Sequence, residues 1–149
     1  MLRTHTCGEL RPDHIGTEVS VCGWVDRVRD HKGVIFIDLR DRWGRTQVVI
    51  GPDASPETLA AARAARAEWV LRVNGIVGAR PEGTTNPKLA TVAIEVVCWA
   101  IAVLNEAETP VFQPNAVDLP GEEVRLAHRW LDLRRPAMQE NMVLRSRIV

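Results

Sequence analysis

No run in the 149-residue sequence approaches the roughly eighteen consecutive apolar residues that a membrane-spanning helix needs. The N-terminus, MLRTHTCGEL, is polar where a signal peptide requires an apolar core, so secretion is not expected and a cytoplasmic location is. Cysteine is scarce: Cys7, Cys22 and Cys98 are odd in number, far apart and without a C-x-x-C pair. That argues against both a disulfide framework and a zinc site, and for free thiols in a reducing compartment. The four histidines do not fall at metal-ligand spacing. A glycine-rich phosphate loop, a nucleophile elbow and a paired-carboxylate site are also missing, so neither catalytic nor metal-binding residues are assigned. An excess of charge is lacking too, with 19 basic against 19 acidic residues. Nonspecific nucleic-acid binders are usually strongly basic, so any RNA-binding role must come from local placement of a few groups.

What is present reads as an ordinary globular chain, 46% apolar and 26% charged, long enough for one domain and a piece of another. Val19, Val21, Gly23 and Val25 alternate with Ser20, Cys22, Trp24 and Asp26, the period of a strand, and Gly23 marks a bulge or sharp bend. Asp30 to Gly33 supplies a turn, Val34 to Leu39 a second strand, Trp43-Gly44 a hairpin turn, and Arg45 to Ile50 a third strand. Ser55-Pro56-Glu57 starts a helix that the alanine-rich run Leu59 to Ala67 continues. Trp69 to Val77 and Val92 to Val103 read as strands, with a loop over Pro81 to Pro87 between them. Three strands, one short helix and two more strands predict an all-β five-stranded Greek-key barrel of the OB-fold type, which binds oligonucleotides on its second and third strands. Residues 1–104 form that domain. Residues 105–121, with Pro110, Pro114 and Pro120, read as a hinge or linker. Residues 122–149 read as a helical segment: Glu122 to Leu133, then a helix opened by Pro136 with Met138, Met142 and Val149 on one side. Such a helix, still running at Val149 with nothing to pack its apolar side, is expected in a truncated chain or one missing a domain.

On the second strand Ile35, Ile37 and Leu39 share the core face, which sends Phe36, Asp38 and Arg40 outward. Phe36 is one of only two phenylalanines, and an outward aromatic on this strand is what base stacking requires. Packing under a loop or another domain is the alternative. Val48 and Ile50 turn Gln47 outward beside it, with an amide able to match a base edge. Arg27 and Arg29 end the first strand and offer planar forks for phosphate or base, or a solvated strand end. Glu95, among Ile94, Val96 and Val97, either accepts from a guanine or sits in a salt bridge. Trp24, Trp69, Trp99 and Trp130 are expected in the core or at an interface.

Several strings together carry a resemblance: Arg3-Thr4-His5, Cys7 to Arg11, Cys22 to Val25, GVIFIDLRD (Gly33 to Asp41), Gln47 to Val49, Ile94 to Val96, NEAETPVF (Asn105 to Phe112) and LDLRRPAMQENMVLRS (Leu131 to Ser146). Over nearly the whole chain the sequence resembles the N-terminal part of bacterial-type aspartyl-tRNA synthetases. The resemblance implies an anticodon-binding OB domain, a hinge, and the start of a class II catalytic domain whose first helix contributes to a homodimer interface. It implies that the later ATP- and aspartate-binding motifs lie outside this chain. ATP and Mg2+ then serve the parent ligase, and this segment alone neither needs a cofactor nor aminoacylates. By the same resemblance Phe36 stacks on the middle anticodon uridine of tRNA-Asp, Arg29 and Gln47 hydrogen-bond around it, and Glu95 reads the first base, guanine or queuine. Arg80 and Asn86 match contacts to the third base or backbone. His31 and Gly83 resemble the non-discriminating branch, which also charges tRNA-Asn. Val28 interrupts what is often a run of arginines, and Gly78 stands where an arginine is common, both subtracting phosphate contacts.

Two other functions fit the same pattern. A general single-strand-binding OB protein would bind oligonucleotides without sequence preference and with a steep salt dependence. A domain serving mainly assembly would bind RNA poorly without its catalytic partner.

Overall fold

In the computed structural model, residues 2–81, 91 and 93–149 are described. They fall into two compact units, one through Glu108 and a second over Thr109–Val149. The first unit carries β1 (Glu18–His31), β2 (Val34–Arg40), β3 (Arg45–Ile50), α1 (Pro56–Ala64), β4 (Val70–Ala79) and β5 (Ile94–Asn105). The strands close into a barrel in the order β1-β2-β3-β5-β4. The fold is thus the five-stranded OB barrel that the pattern predicts.

Closure depends on one long strand serving two neighbours. Glu18 to Trp24 pair with β4, and Trp24 to His31 pair with β2. The handover needs a side-chain-free position, because a Cβ on Gly23 would lie 2.4 Å from the Arg40 carbonyl oxygen. The register then slips between Val25 and Arg27, a bulge at Asp26 that sharpens the bend. β1 runs farther than its alternation suggests because the turn to β2 takes two residues. Lys32 and Gly33 both have positive φ, 53° and 87°, and the Asp30 carboxylate accepts the Gly33 N–H at 3.2 Å.

Inward residues from all five strands, among them Val21, Val25, Ile37, Leu39, Val48, Leu71, Val73 and Val96, are fully buried and form one core. α1 begins at its predicted cap, where the Ser55 hydroxyl accepts the Thr58 N–H at 3.2 Å and Pro56 occupies the first turn. It stops at Ala64 rather than Ala67. Tertiary pairing takes the chain away: the Glu68 N–H donates to the Val25 carbonyl at 2.8 Å, and the Val25 N–H donates to the Trp69 carbonyl at 2.8 Å. The Arg66 guanidinium covers the carbonyls released at the helix end.

At the barrel corner a guanidinium is buried. Arg40 Nε donates to Asp26 at 3.2 Å, its Nη2 pairs with Glu68, and the group lies 5.7 Å from the Trp24 ring centroid. Arg45 meets the other Asp26 oxygen at 2.8 Å. Outward on its strand, Arg40 is nonetheless covered.

Of the four tryptophans expected in the core or at an interface, Trp24 and Trp69 are half-buried, Trp69 against the core, whereas Trp99 is 44% and Trp130 55% exposed. The thiols are free: Cys7 and Cys98 are buried and Cys22 is half-buried. Burial pushes the Cys98 thiol up to about 12 and raises Cys7 and Cys22, which keeps them protonated near neutral pH.

The second unit holds α2 (Glu122–Ala127), α3 (Arg129–Asp132) and α4 (Pro136–Ile148). The single helix expected over Glu122 to Leu133 breaks at His128, whose φ and ψ are −113° and 47°. Arg129 and Arg135 converge at 2.8 Å on the buried Asp132 carboxylate. α4 buries none of its residues.

Removing one member of the Arg40 cluster strands a buried charge. Glu68→Ala is expected to cost about 3 kcal/mol, the low end for a broken buried pair because Asp26 still holds Arg40. A urea denaturation midpoint unchanged from wild type would refute this account of the corner.

Candidate nucleic-acid interface

The bulge at Asp26 sets which β1 side chains share a face with β2. Beyond it Arg27 stands opposite Asp38, Val28 opposite Ile37, and Arg29 opposite Phe36. Phe36 in turn faces Val49, Val49 faces Val97, and Val97 faces Ile76. One cross-strand row on the outer face therefore reads Arg29, Phe36, Val49, Val97, Ile76. Phe36 and Val49 are half-buried, while Val97 is 48% and Ile76 42% exposed. The adjoining row is polar: Arg27, Asp38, Gln47, Glu95 and, beside Glu95 on β4, Gly78.

Asp38, Gln47 and Glu95 of the polar row are joined by hydrogen bonds through Arg29, which reaches across from the other row. Arg29 Nη2 donates to Asp38 Oδ1 at 2.8 Å and, more weakly, to Gln47 Oε1 at 3.4 Å. Gln47 Nε2 donates to Glu95 Oε2 at 3.0 Å. The Gln47 amide is thereby fixed with its oxygen toward Arg29 and its nitrogen toward Glu95. Arg80, just past β4, is buried and donates through Nε to the Ile94 carbonyl at 2.9 Å. Burial raises the pKa of Glu95, and the Gln47 bond and the Arg80 charge pull it partly back. Burial lowers that of Arg80, offset by Glu95 and Asp38.

Five sequence-predicted residues thus meet on or beside one face: Arg29, Phe36, Gln47, Glu95 and Arg80. Arg27 lies on the same side of β1 and is exposed, as is His31 at the strand end. Asn86 and Gly83 lie outside the described residues. Gln47 faces outward as expected but is buried, because Arg29, Asp38 and Glu95 surround its amide. Val28 corrects a reading. It packs against the core, so it takes no position on the outer face that an arginine would use. Gly78 does lie on that face, beside Val97, where a Cβ would come within 3.3 Å of a Val97 methyl carbon.

Asp38 escaped singling out in the sequence although it anchors Arg29. The signal that could have found it is cross-strand charge pairing, which becomes legible once the Asp26 bulge fixes the register. Val97 and Ile76 escaped because alternation alone does not say that an outward apolar residue continues a row begun three strands away. Among the described residues, no group of three or more histidine, cysteine or acidic side chains could hold a metal ion. No helix among them is long and apolar enough to cross a membrane.

A five-stranded closed barrel in this order is the OB fold, whose second and third strands bind oligonucleotides or oligosaccharides. Residues 19–104 match the tRNA anti-codon family profile, described as an OB-fold nucleic acid binding domain, and the chain belongs to that family. Over its whole length it is 52% identical to an aspartate–tRNA(Asp/Asn) ligase of Rhodopirellula baltica, of which it spans 25%. Among solved structures it superposes on the asparaginyl-tRNA synthetase of Pyrococcus horikoshii with a TM-score of 0.74 at 26% identity, covering 91% of this chain and 31% of that one. An aspartyl-tRNA synthetase from Entamoeba histolytica shares the fold, with a TM-score of 0.78 at 21% identity over 91% of this chain and 33% of its own. The chain is an anticodon-binding OB domain of the aspartyl/asparaginyl-tRNA synthetase kind.

The raised Glu95 pKa has a defined sign. In the interval between its ordinary and its raised folded value the native state holds a proton that the unfolded state has released, so stability falls as pH rises through it. Glu95→Gln removes that contribution. The difference in urea midpoint between wild type and variant should shift in favour of the variant as pH rises from below the ordinary carboxyl range toward neutrality. A difference independent of pH would contradict the burial argument.

Proposed function

We propose that the outer face of β1, β2, β3 and β5 reads the anticodon of tRNA-Asp, and of tRNA-Asn, as the N-terminal module of an aspartate–tRNA ligase. The observation that carries this is the half-exposed Phe36 ring bordered by the Arg29–Gln47–Glu95 chain. A flat hydrophobic surface accepts any unpaired base, and the polar row beside it supplies donors and an acceptor that distinguish base edges. Phe36 stacks on the middle base, Arg29 and Gln47 bond to the anticodon bases around it, and Glu95 accepts from the N–H groups of a guanine at the first position. Arg80, with Asn86, serves the third base or the backbone, and Arg27 a phosphate. His31 and Gly83 govern the choice between the two tRNAs. The name of the relative at 52% identity, which carries both tRNAs, supports that breadth.

Residues 1–104 serve as the recognition domain, 105–121 as the hinge, and 122–149 as the opening of the catalytic domain of a homodimeric cytoplasmic enzyme. Aminoacylation, with its ATP and Mg2+, belongs to the longer ligase, and no residue of this chain is assigned to it. The balanced charge disfavours a general single-strand binder, which needs a basic surface to hold any sequence.

Phe36→Ala should weaken binding of an anticodon stem-loop by about 1–3 kcal/mol, read as a rise in Kd. Glu95→Gln should relax the preference for guanine at the first position more than it lowers overall affinity. Titrating stem-loops that differ in that base checks both, and equal losses for every first base would remove Glu95 from its role.

A further inference from the structure

At the β2–β3 turn, Trp43 is 55% exposed and carries two guanidiniums: the Cζ of Arg3 lies 4.5 Å and that of Arg42 5.6 Å from its ring centroid. The turn is rigid. Asp41 Oδ1 accepts the Trp43 and Gly44 N–H groups at 2.8 and 3.0 Å, and Oδ2 accepts the Cys7 N–H at 2.9 Å. Gly8 and Gly44 touch backbone to backbone, since a Cβ on Gly44 would fall 2.6 Å from the Gly8 Cα. That contact fixes the N-terminal segment against the turn and delivers Arg3 to the indole. The charges do not cancel. Asp41 is buried, bonds three backbone N–H groups and meets Arg3 at 3.5 Å, whereas exposed Arg42 has no carboxylate partner among the described residues. A locally positive, pre-ordered patch thus stands on a chain with no net charge.

Its position identifies an occupant. The hairpin that bears Phe36 and Gln47 ends here, past the Arg40–Arg45 pair on the same face. Four strand steps carry the chain from Phe36 to Arg40, roughly 14 Å at about 3.4 Å each, and Arg42 lies beyond in the turn. That is too far for the base on Phe36 and suits the sugar-phosphate backbone that leads away from the loop. We propose that Arg42 and Arg3, held on Trp43, bind backbone phosphate of the stem flanking the anticodon loop, a contact blind to sequence. The proposal rests on the anticodon reading above and adds a second RNA contact to it.

The test is a titration of end-labelled RNA by anisotropy at several salt concentrations, with wild type, Arg42→Ala, Arg42→Lys and Phe36→Ala. Against an anticodon stem-loop, Arg42→Ala should raise Kd about fivefold and lower the slope of log K against log salt by about one. The loss should be equal for every anticodon, absent on a linear oligonucleotide of the loop alone, and largely restored in Arg42→Lys. An unchanged Kd and slope for Arg42→Ala, with binding still weakened by Phe36→Ala, would overturn the phosphate contact and leave the anticodon reading intact. A loss that varies with the anticodon, or appears equally on the linear loop, would overturn the assignment to the stem. Wild type failing to bind the stem-loop would sink both.

Discussion

The structure depends on β1 changing partners at Gly23 and Trp24. Its first half closes the barrel against β4, and its second half builds the outer face with β2. A methyl at position 23 would collide with the Arg40 carbonyl, so the corner tolerates nothing larger than hydrogen. The side chain of Arg40 lies beside the same corner, and its charge is met by Asp26 and Glu68 under Trp24. A buried cation is an unpromising source of stability, and two carboxylates are what make it tolerable. It does specify register. Asp26 is the bulged residue, and a slip that moved it would strand the guanidinium. The face offered to RNA is in this sense a consequence of the corner.

Much of this was legible in the residues. Period-2 alternation identified the strands, Ser55-Pro56 the start of α1, and the outward direction of Phe36 and Gln47 followed from counting. Tertiary events were not legible. The end of α1 is decided by Glu68 and Trp69 bonding to Val25, far away in sequence, although the alanines up to Ala67 would continue a helix willingly. The inward direction of Val28 depends on the bulge, because alternation carried through Asp26 without a slip places it on the wrong side. Alternation also leaves open which tryptophans are covered: Trp69 packs against the core, while Trp99 and Trp130 remain largely exposed.

At the site, counting turned Gln47 outward beside Phe36, but Arg29 joins that face only through the Asp26 bulge, and nothing in the sequence says that Gln47 bridges Arg29 and Glu95. That bridge changes the chemistry. An isolated glutamine can present either end of its amide to a base. This one is held in a single orientation, and Arg29 is held by Asp38. Preorganisation of this kind lowers the ordering cost of binding and sharpens discrimination, because a mismatched base cannot be met by rotating the amide.

If this face reads the anticodon as proposed, the bonded chain also explains how a chain without net charge could select RNA. Each base edge that docks must displace or share a protein hydrogen bond already made, so the gain from a matching edge is modest and the cost of a wrong one is large. Half-buried Glu95 sharpens this further: left facing a base that offers it no donor, it would be a desolvated carboxylate whose protein donor is the Gln47 amide. On that reading affinity would come from surfaces that do not discriminate, the Phe36 ring and the Val49–Val97–Ile76 row, and selectivity from the polar row alongside. A uniformly basic face would bind more tightly and choose less.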